Sequence, residues 1–229
     1  DRQAARHRDR LYALCKDAAR FYYDTLWQPE NRVAQQYFLG RGLHRRTMNR
    51  FGLGYAPDSF HALLDAMTAK GYTREEMLDA GLLSRSEKGR VYDRFRGRVM
   101  FPIIDVRGNV IAFGGRVMGD SKPKYINSPE TMVYHKSRTL FALNVAKKST
   151  SKRYILCEGY MDVISMHEAG FDTAVCACGT ALTPEQVKLL TEYADEVVLS
   201  YDSDEAGQKA TERSLALFSG TNLQVRVLN

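Results

Sequence analysis

The chain has 229 residues, enough for one large domain or two modest ones, and its 44% hydrophobic and 26% charged content is ordinary for a globular protein. No apolar run approaches the roughly 18 residues of a membrane helix, which excludes that class and any membrane partner of that kind. The net charge of +6 is unevenly spread: residues 1–150 carry 27 basic and 15 acidic side chains, residues 151–229 carry 6 and 12. A basic segment beside an acidic one suggests a polyanion held next to a metal site.

The chain opens on Asp1-Arg2-Gln3-Ala4-Ala5-Arg6 with no apolar stretch behind it, so it does not read as a signal peptide. Without an initiator Met, and with a last segment that reads as an unfinished strand, it is expected to be a piece of a longer protein. Residues 1–40 read as helical, first basic and then aromatic, with an interruption at Pro29 and a break at Gly40-Arg41-Gly42. Two short helices are predicted over Ser59–Ala69 and Thr73–Ala80, the second opened by a Thr73/Glu76 capping box. From Val91 the period changes. Arg98–Ile104 and Val110–Phe113 read as strands around a turn at Asp105–Asn109, and Gly114-Gly115 permits a bend or a close approach. Residues 119–138 read as polar and loop-rich.

From about Lys152 strand and helix alternate: strands at Arg153–Cys157, Thr173–Ala177, Glu196–Tyr201 and Leu223–Leu228, with helices at Tyr160–Ala169, Thr183–Thr191 and Ala206–Phe218. This rhythm predicts a parallel sheet with crossover helices. Thr183, Pro184 and Gln186 sign the start of one helix as cap, first residue and box partner. The fold class is therefore α/β: a mixed α+β basic segment over residues 1–150, then a parallel sheet over residues 151–229 that is incomplete at its C-terminal end. Four cysteines are too few and too badly spaced for a disulfide framework, which fits a reducing cytoplasm. Cys176 and Cys178 lie in an apolar run and read as buried thiols on a strand; no zinc is expected in this segment.

Ligands gather at the carboxyl ends of parallel strands. Here the first strand ends in Glu158-Gly159-Tyr160-Met161-Asp162 and the third in Asp202-Ser203-Asp204. Alternation sets Asp202 and Asp204 on one side of an extended segment, with Glu158 converging from the neighbouring strand end. Clustered carboxylates repel and raise one another's pKa values, a cost that a divalent cation removes. Hard oxygen ligands favour Mg²⁺ or Mn²⁺, and two such ions can serve a phosphoryl transfer. Taken singly, Asp204 reads as a helix cap, and Glu158 and Asp162 as acids at a solvated helix start. Three strand-end acids in one sheet favour metal chemistry.

The strand with Glu-Gly-Tyr-Met-Asp-Val, the Gly179-Thr180-Ala181-Leu182-Thr183 turn and the Tyr201-Asp202-Ser203-Asp204-x-Ala206-Gly207 element together resemble a TOPRIM module. Upstream, Arg94–Ile103, Phe113–Val117, Pro123–Thr131 and His135–Arg138 are similar to the polymerase domain of bacterial DnaG-type primases. The resemblance runs from about Gln36 to the C-terminus and implies a DNA-directed RNA polymerase that makes short primers on single-stranded DNA. By that resemblance Glu158, Asp202 and Asp204 hold the catalytic ions and Asp162 supports them, with Glu158 a candidate for activating the 3′-hydroxyl. Arg116, Lys124, Tyr125, Asn127 and Lys136 match positions for the incoming NTP, and Arg41 a position facing the template. The implied partners are the DNA template, NTPs and the RNA–DNA hybrid. A replicative helicase and a single-stranded DNA-binding protein are implied through regions absent here, in a cytoplasmic replisome. A nuclease or topoisomerase of the same module is the second reading, although none of the 13 tyrosines stands out as a DNA-linking nucleophile. A fragment that binds without catalysing is the third. Ser203 stands where the family commonly has Gly; a left-handed backbone there would cost Ser about 1–2 kcal/mol.

Overall fold

The computed structural model describes residues 1–228, which divide into two compact units: residues 1–104 with 109–134, and residues 105–108 with 135 onward. In the first unit, helix α1 (Arg2–Leu26) buries Leu11, Leu14, Cys15, Ala18, Tyr22 and Leu26, a helical-period stripe. Helices α2 (Arg32–Leu39) and α3 (Arg45–Phe51), strand β1 (Gly54–Ala56), helices α4 (Ala62–Ala69) and α5 (Arg74–Asp79) and strands β2 (Leu83–Arg85) and β3 (Val91–Asp93) follow. Strands β4 (Arg98–Ile104), β5 (Val110–Val117) and β6 (Tyr125–Asn127) complete an antiparallel sheet in the order β1-β4-β5-β6. Its core is aromatic, with Tyr22 edge-on to Phe113 at 5.3 Å and Phe38 edge-on to Phe101 at 5.9 Å.

The second unit begins with strand β7 (Leu140–Phe141) and helix α6 (Leu143–Ala146). Then come β8 (Arg153–Cys157), α7 (Tyr160–Glu168), β9 (Ala174–Ala177), α8 (Pro184–Thr191), β10 (Glu196–Ser200), α9 (Glu205–Phe218) and β11 (Gln224–Val227). The sheet order is β11-β10-β8-β9-β7. The first four strands run parallel, as the alternation predicted, while β7 pairs antiparallel with β9. Leu140, Leu143 and Ala146 share one buried cluster with Tyr154, Leu156, Val175, Leu190, Val197 and Phe218. This burial explains why residues 135–150, placed by sequence in the first segment, pack with the second unit.

The predicted capping boxes are present: Thr73 with Glu76, and Thr183 with Gln186 behind Pro184. All four cysteines are free and buried. The polar stretch 119–138 is not all loop, because β6 pairs there with β5. Gly114-Gly115 does not bend the chain. β5 runs through it, and a methyl on Gly115 would lie 2.9 Å from Phe95 and 3.2 Å from the Met100 sulfur. Ser203 carries no left-handed strain; among the described residues Ala142, with φ 72°, is the non-glycine residue of positive φ. No helix among the described residues is long and apolar enough to cross a membrane.

Candidate active site and nucleic-acid surface

Ser200 lies opposite Cys157 in the parallel β8–β10 register, so the chains that leave those strands emerge side by side. The backbone amide of Asp202 donates to Glu158 Oε1 at 3.0 Å. Burial pushes the Glu158 carboxyl above its ordinary range; the Asp202 amide pulls the other way, and the side-chain hydrogen bond and charge of Asp202 and the charge of Asp204 add to the rise. Burial, and then Asp202, do the same to Asp162, which accepts from the Gly159 amide in the first turn of α7. Asp204 caps α9, its Oδ1 accepting from the Gly207 amide at 2.7 Å.

The structure thus joins Glu158 to Asp202 and brings the fields of Asp162 and Asp204 to bear on that pair. It does not draw the acids into one tight set. Among the described residues no group of three or more His, Cys, Asp or Glu side chains stands close enough to hold a metal ion. The capping role weighed for Asp204 is real, and it still leaves that carboxylate a second oxygen. The donors are hard carboxylate oxygens, two of them on acids whose raised pKa values a cation would relieve. Mg²⁺ commonly takes one or two carboxylates and completes its shell with water and phosphate, so these residues fit such an ion.

The first unit carries the basic candidates except Lys136. Arg41 follows α2, lies 3.5 Å from the Tyr37 ring centroid and donates through Nη1 to the Tyr37 carbonyl at 2.8 Å. Arg116, on β5, lies 5.2 Å from the same centroid and 5.7 Å from that of Tyr125, its register partner on β6. Lys124 is exposed, Tyr125 is exposed at 36%, and Asn127 is half-buried on the same strand. Lys136 belongs to the second unit, in a turn whose carbonyl accepts from Gln186 Nε2 at 3.0 Å.

Two arginines that sequence reading left without a role hold this surface in place. Arg98, only 5% exposed, donates to the carbonyls of Gly115, Pro123 and Lys124. Arg94 donates twice to the Asn127 carbonyl, at 3.1 and 2.7 Å. Their signal was the Arg94-Phe95-Arg96-Gly97-Arg98 run, which resembled the family without revealing which carbonyls it would bind. Gly207 was missed in the same way. A methyl there would sit 1.9 Å from the Asp202 carbonyl oxygen.

A mainly parallel α/β unit with carboxylates at the ends of β8 and β10 defines a Toprim-like module, and residues 155–229 match the family model described as Toprim-like. Residues 21–147 match the model described as the DNA primase catalytic core, N-terminal domain, and the chain belongs to that primase family. It is 48% identical over 221 residues to a DNA primase of Clostridium acetobutylicum, a match covering 96% of this chain and 37% of that protein. A solved structure described as the DnaG primase catalytic domain bound to ssDNA aligns with TM-score 0.90 and 39% identity, over 98% of this chain and 72% of that one. The E. coli primase catalytic core aligns with TM-score 0.87 and 40% identity, over 95% and 71%. The chain spans little more than a third of the length of the curated relatives it matches.

Proposed function

We propose that this chain is part of the catalytic core of a DNA-templated RNA polymerase that makes short primers for replication. The reaction is nucleotidyl transfer from an NTP to a 3′-hydroxyl, with pyrophosphate leaving. The observation that carries this reading is the hydrogen-bonded junction of Glu158 and Asp202 at the ends of adjacent parallel strands, in a chain of the primase family. Glu158 and Asp202, with the second oxygen of Asp204, would hold Mg²⁺ or Mn²⁺, one ion or two, and Asp162 adds negative potential beside them. A divalent ion bound there would supply charge neutralisation for the triphosphate and for the oxygens that gain charge in the transfer.

The chain's own residues supply the rest. Arg41 and Arg116 neutralise phosphate, and Tyr125 offers a ring on which a base or sugar can stack. Lys124, Asn127 and Lys136 are assigned to the incoming NTP. Phosphate contacts of this kind position a strand without reading its sequence. The partners are a single-stranded DNA template, NTPs and the nascent hybrid. A helicase and a single-stranded DNA-binding protein belong to the longer protein, whose place of action is the cytoplasmic replisome.

Template-dependent incorporation of labelled NTP tests the reading, with this chain alone and within a protein of its relatives' full length, in Mg²⁺ or Mn²⁺. RNA synthesis by the long form that is lost in its Glu158→Gln variant supports it. A long form that makes no RNA but cleaves or relaxes DNA overturns it.

A further inference from the structure

Arg41 and Arg116 were assigned by resemblance to different ligands, a template and a nucleotide, yet they share one aromatic ring. Both guanidinium groups lie over Tyr37, at 3.5 and 5.2 Å from its centroid, and Arg116 also reaches the Tyr125 ring. Charge and ring alternate from Arg41 through Tyr37 and Arg116 to Tyr125. Tyr37 is only 7% exposed, whereas Tyr125 is 36% exposed. The inner ring is therefore enclosed by its surroundings, and the outer one reaches solvent. Tyr37 is itself anchored edge-on to Phe38, at 5.4 Å between centroids, and Phe38 is fully buried.

Two like charges brought to one ring repel each other, and the negative face of the ring offsets part of that cost. Each guanidinium has five N–H donors. Arg41 directs one to the Tyr37 carbonyl and Arg116 one to the Val117 carbonyl, which restrains each group. The pair is thus set before any anion arrives. Held on one ring, the two groups present their remaining donors together, so that one phosphate chain can meet both.

We propose that Tyr37 is a positioning residue for single-stranded nucleic acid. Its ring holds Arg41 and Arg116 in one geometry, so that both act on phosphates of the same strand while Tyr125 stacks on a base. This inference rests on the templated-polymerase reading above. It deepens that reading by moving Arg116 from the nucleotide to the strand.

Fluorescence anisotropy with a labelled oligo-dT, at several salt concentrations, tests it on the chain and on Tyr37→Phe, Tyr37→Leu, Arg41→Gln, Arg116→Gln and Arg116→Lys. A thermal melt of each variant accompanies the titration. Tyr37→Phe keeps the ring and is expected to bind as the parent chain does. Tyr37→Leu is expected to bind about three- to tenfold more weakly, the scale of a cation–π contact. Its loss and that of Arg116→Gln should fall short of additive in the double variant, because each removes the same arrangement. A folded Tyr37→Leu chain with unchanged affinity, or fully additive losses, overturns the positioning role. Should Tyr37→Leu fail to fold, Arg116→Lys decides: weakened binding supports a ring-held guanidinium, and unchanged binding shows that charge alone suffices and sinks the proposal. Failure of the parent chain to bind, or indifference to both Arg→Gln changes, overturns the templated reading as well.

Discussion

The Asp202 amide and the Glu158 carboxylate meet at 3.0 Å although 44 residues separate them in sequence. The contact follows from strand order: β8 and β10 are neighbours, while β9, between them in sequence, lies on the far side of β8. A carboxylate that accepts this amide is aimed and held before any cation arrives. Glu158→Gln keeps an oxygen that can accept the same amide but removes the charge. In metal-free buffer the variant should melt at or above the parent temperature, since its like-charge neighbours no longer repel it. The rise in melting temperature that Mg²⁺ gives the parent through binding to the folded state should disappear. Melting curves with and without Mg²⁺ measure both effects.

Gly207 sets the path of Asp202 from behind. With the Asp202 carbonyl oxygen 1.9 Å from where a Cβ would stand, Gly207→Ala must displace the turn between β10 and α9. The expected cost is about 1–3 kcal/mol by urea denaturation, the range for overpacking. Weaker Mg²⁺ binding by titration calorimetry should accompany it, because the displaced segment carries Asp202.

Arg98 acts on the surface loop from below. Its three carbonyl partners lie on the segment leading to Lys124 and Tyr125 and on β5. Arg98→Leu removes the guanidinium from three carbonyls, of which that of Lys124 keeps the Val117 amide, and a loss of about 1–3 kcal/mol is expected by denaturation. Binding of a labelled NTP should weaken as the loop loosens, whereas Arg90→Gln, in a surface turn, should change neither quantity.

Two acids in the first unit bend the pH dependence of stability in opposite senses. Asp93 is buried and accepts from the Leu63 and Leu64 amides, and burial lifts its pKa to about 6. The folded form therefore holds a proton that the unfolded chain has released, so its contribution is present below its ordinary range near 3.8 and is lost as pH rises through about 6. Glu76, hydrogen-bonded to Arg10, is lowered to about 2, so its contribution is present above 4.5 and is lost as pH falls toward 2. Urea denaturation from pH 3 to 7 should show the Asp93→Asn variant losing less stability than the parent between about pH 4 and 6. Arg10→Gln should flatten the acid limb below that window.

Gln186 ties a helix start to the turn that carries Lys136. Its Oε1 accepts from the Thr183 amide, and its Nε2 donates to the carbonyls of Lys136 and Thr139. Gln186→Leu breaks the capping box and removes the amide that reaches both carbonyls, which keep weaker donors in the Thr139 amide and the Cys178 thiol, with an expected loss of about 1–3 kcal/mol by thermal or urea unfolding.

The second unit was the more legible in the sequence. Its parallel strands and helices were predicted to within a residue or two because each is long enough to show a period and is marked by caps such as Thr183 or Asp204. β2, β3, β6 and β7 are two or three residues long, too short for any alternation to register, and long-range pairing alone creates them. The acids were legible as strand-end residues. The capping bond of Asp204 was weighed as an alternative and proved real, while the lack of a tight three-acid set among the described residues was not foreseen. Charge composition located the basic surface, but nothing in it pointed to Tyr37 as the ring shared by Arg41 and Arg116.

The antiparallel strand β7 bears on where this module can be cut. The Toprim-like match begins at residue 155, yet the outer flank of β9 is covered by Leu140 and Phe141, opposite Ala177 and Cys176. A piece begun at residue 151 would bare the amides and carbonyls along that flank, a ready template for pairing with a second chain. A piece begun at residue 135 keeps its own cover. The shorter piece should elute as aggregates where the longer one elutes as a monomer.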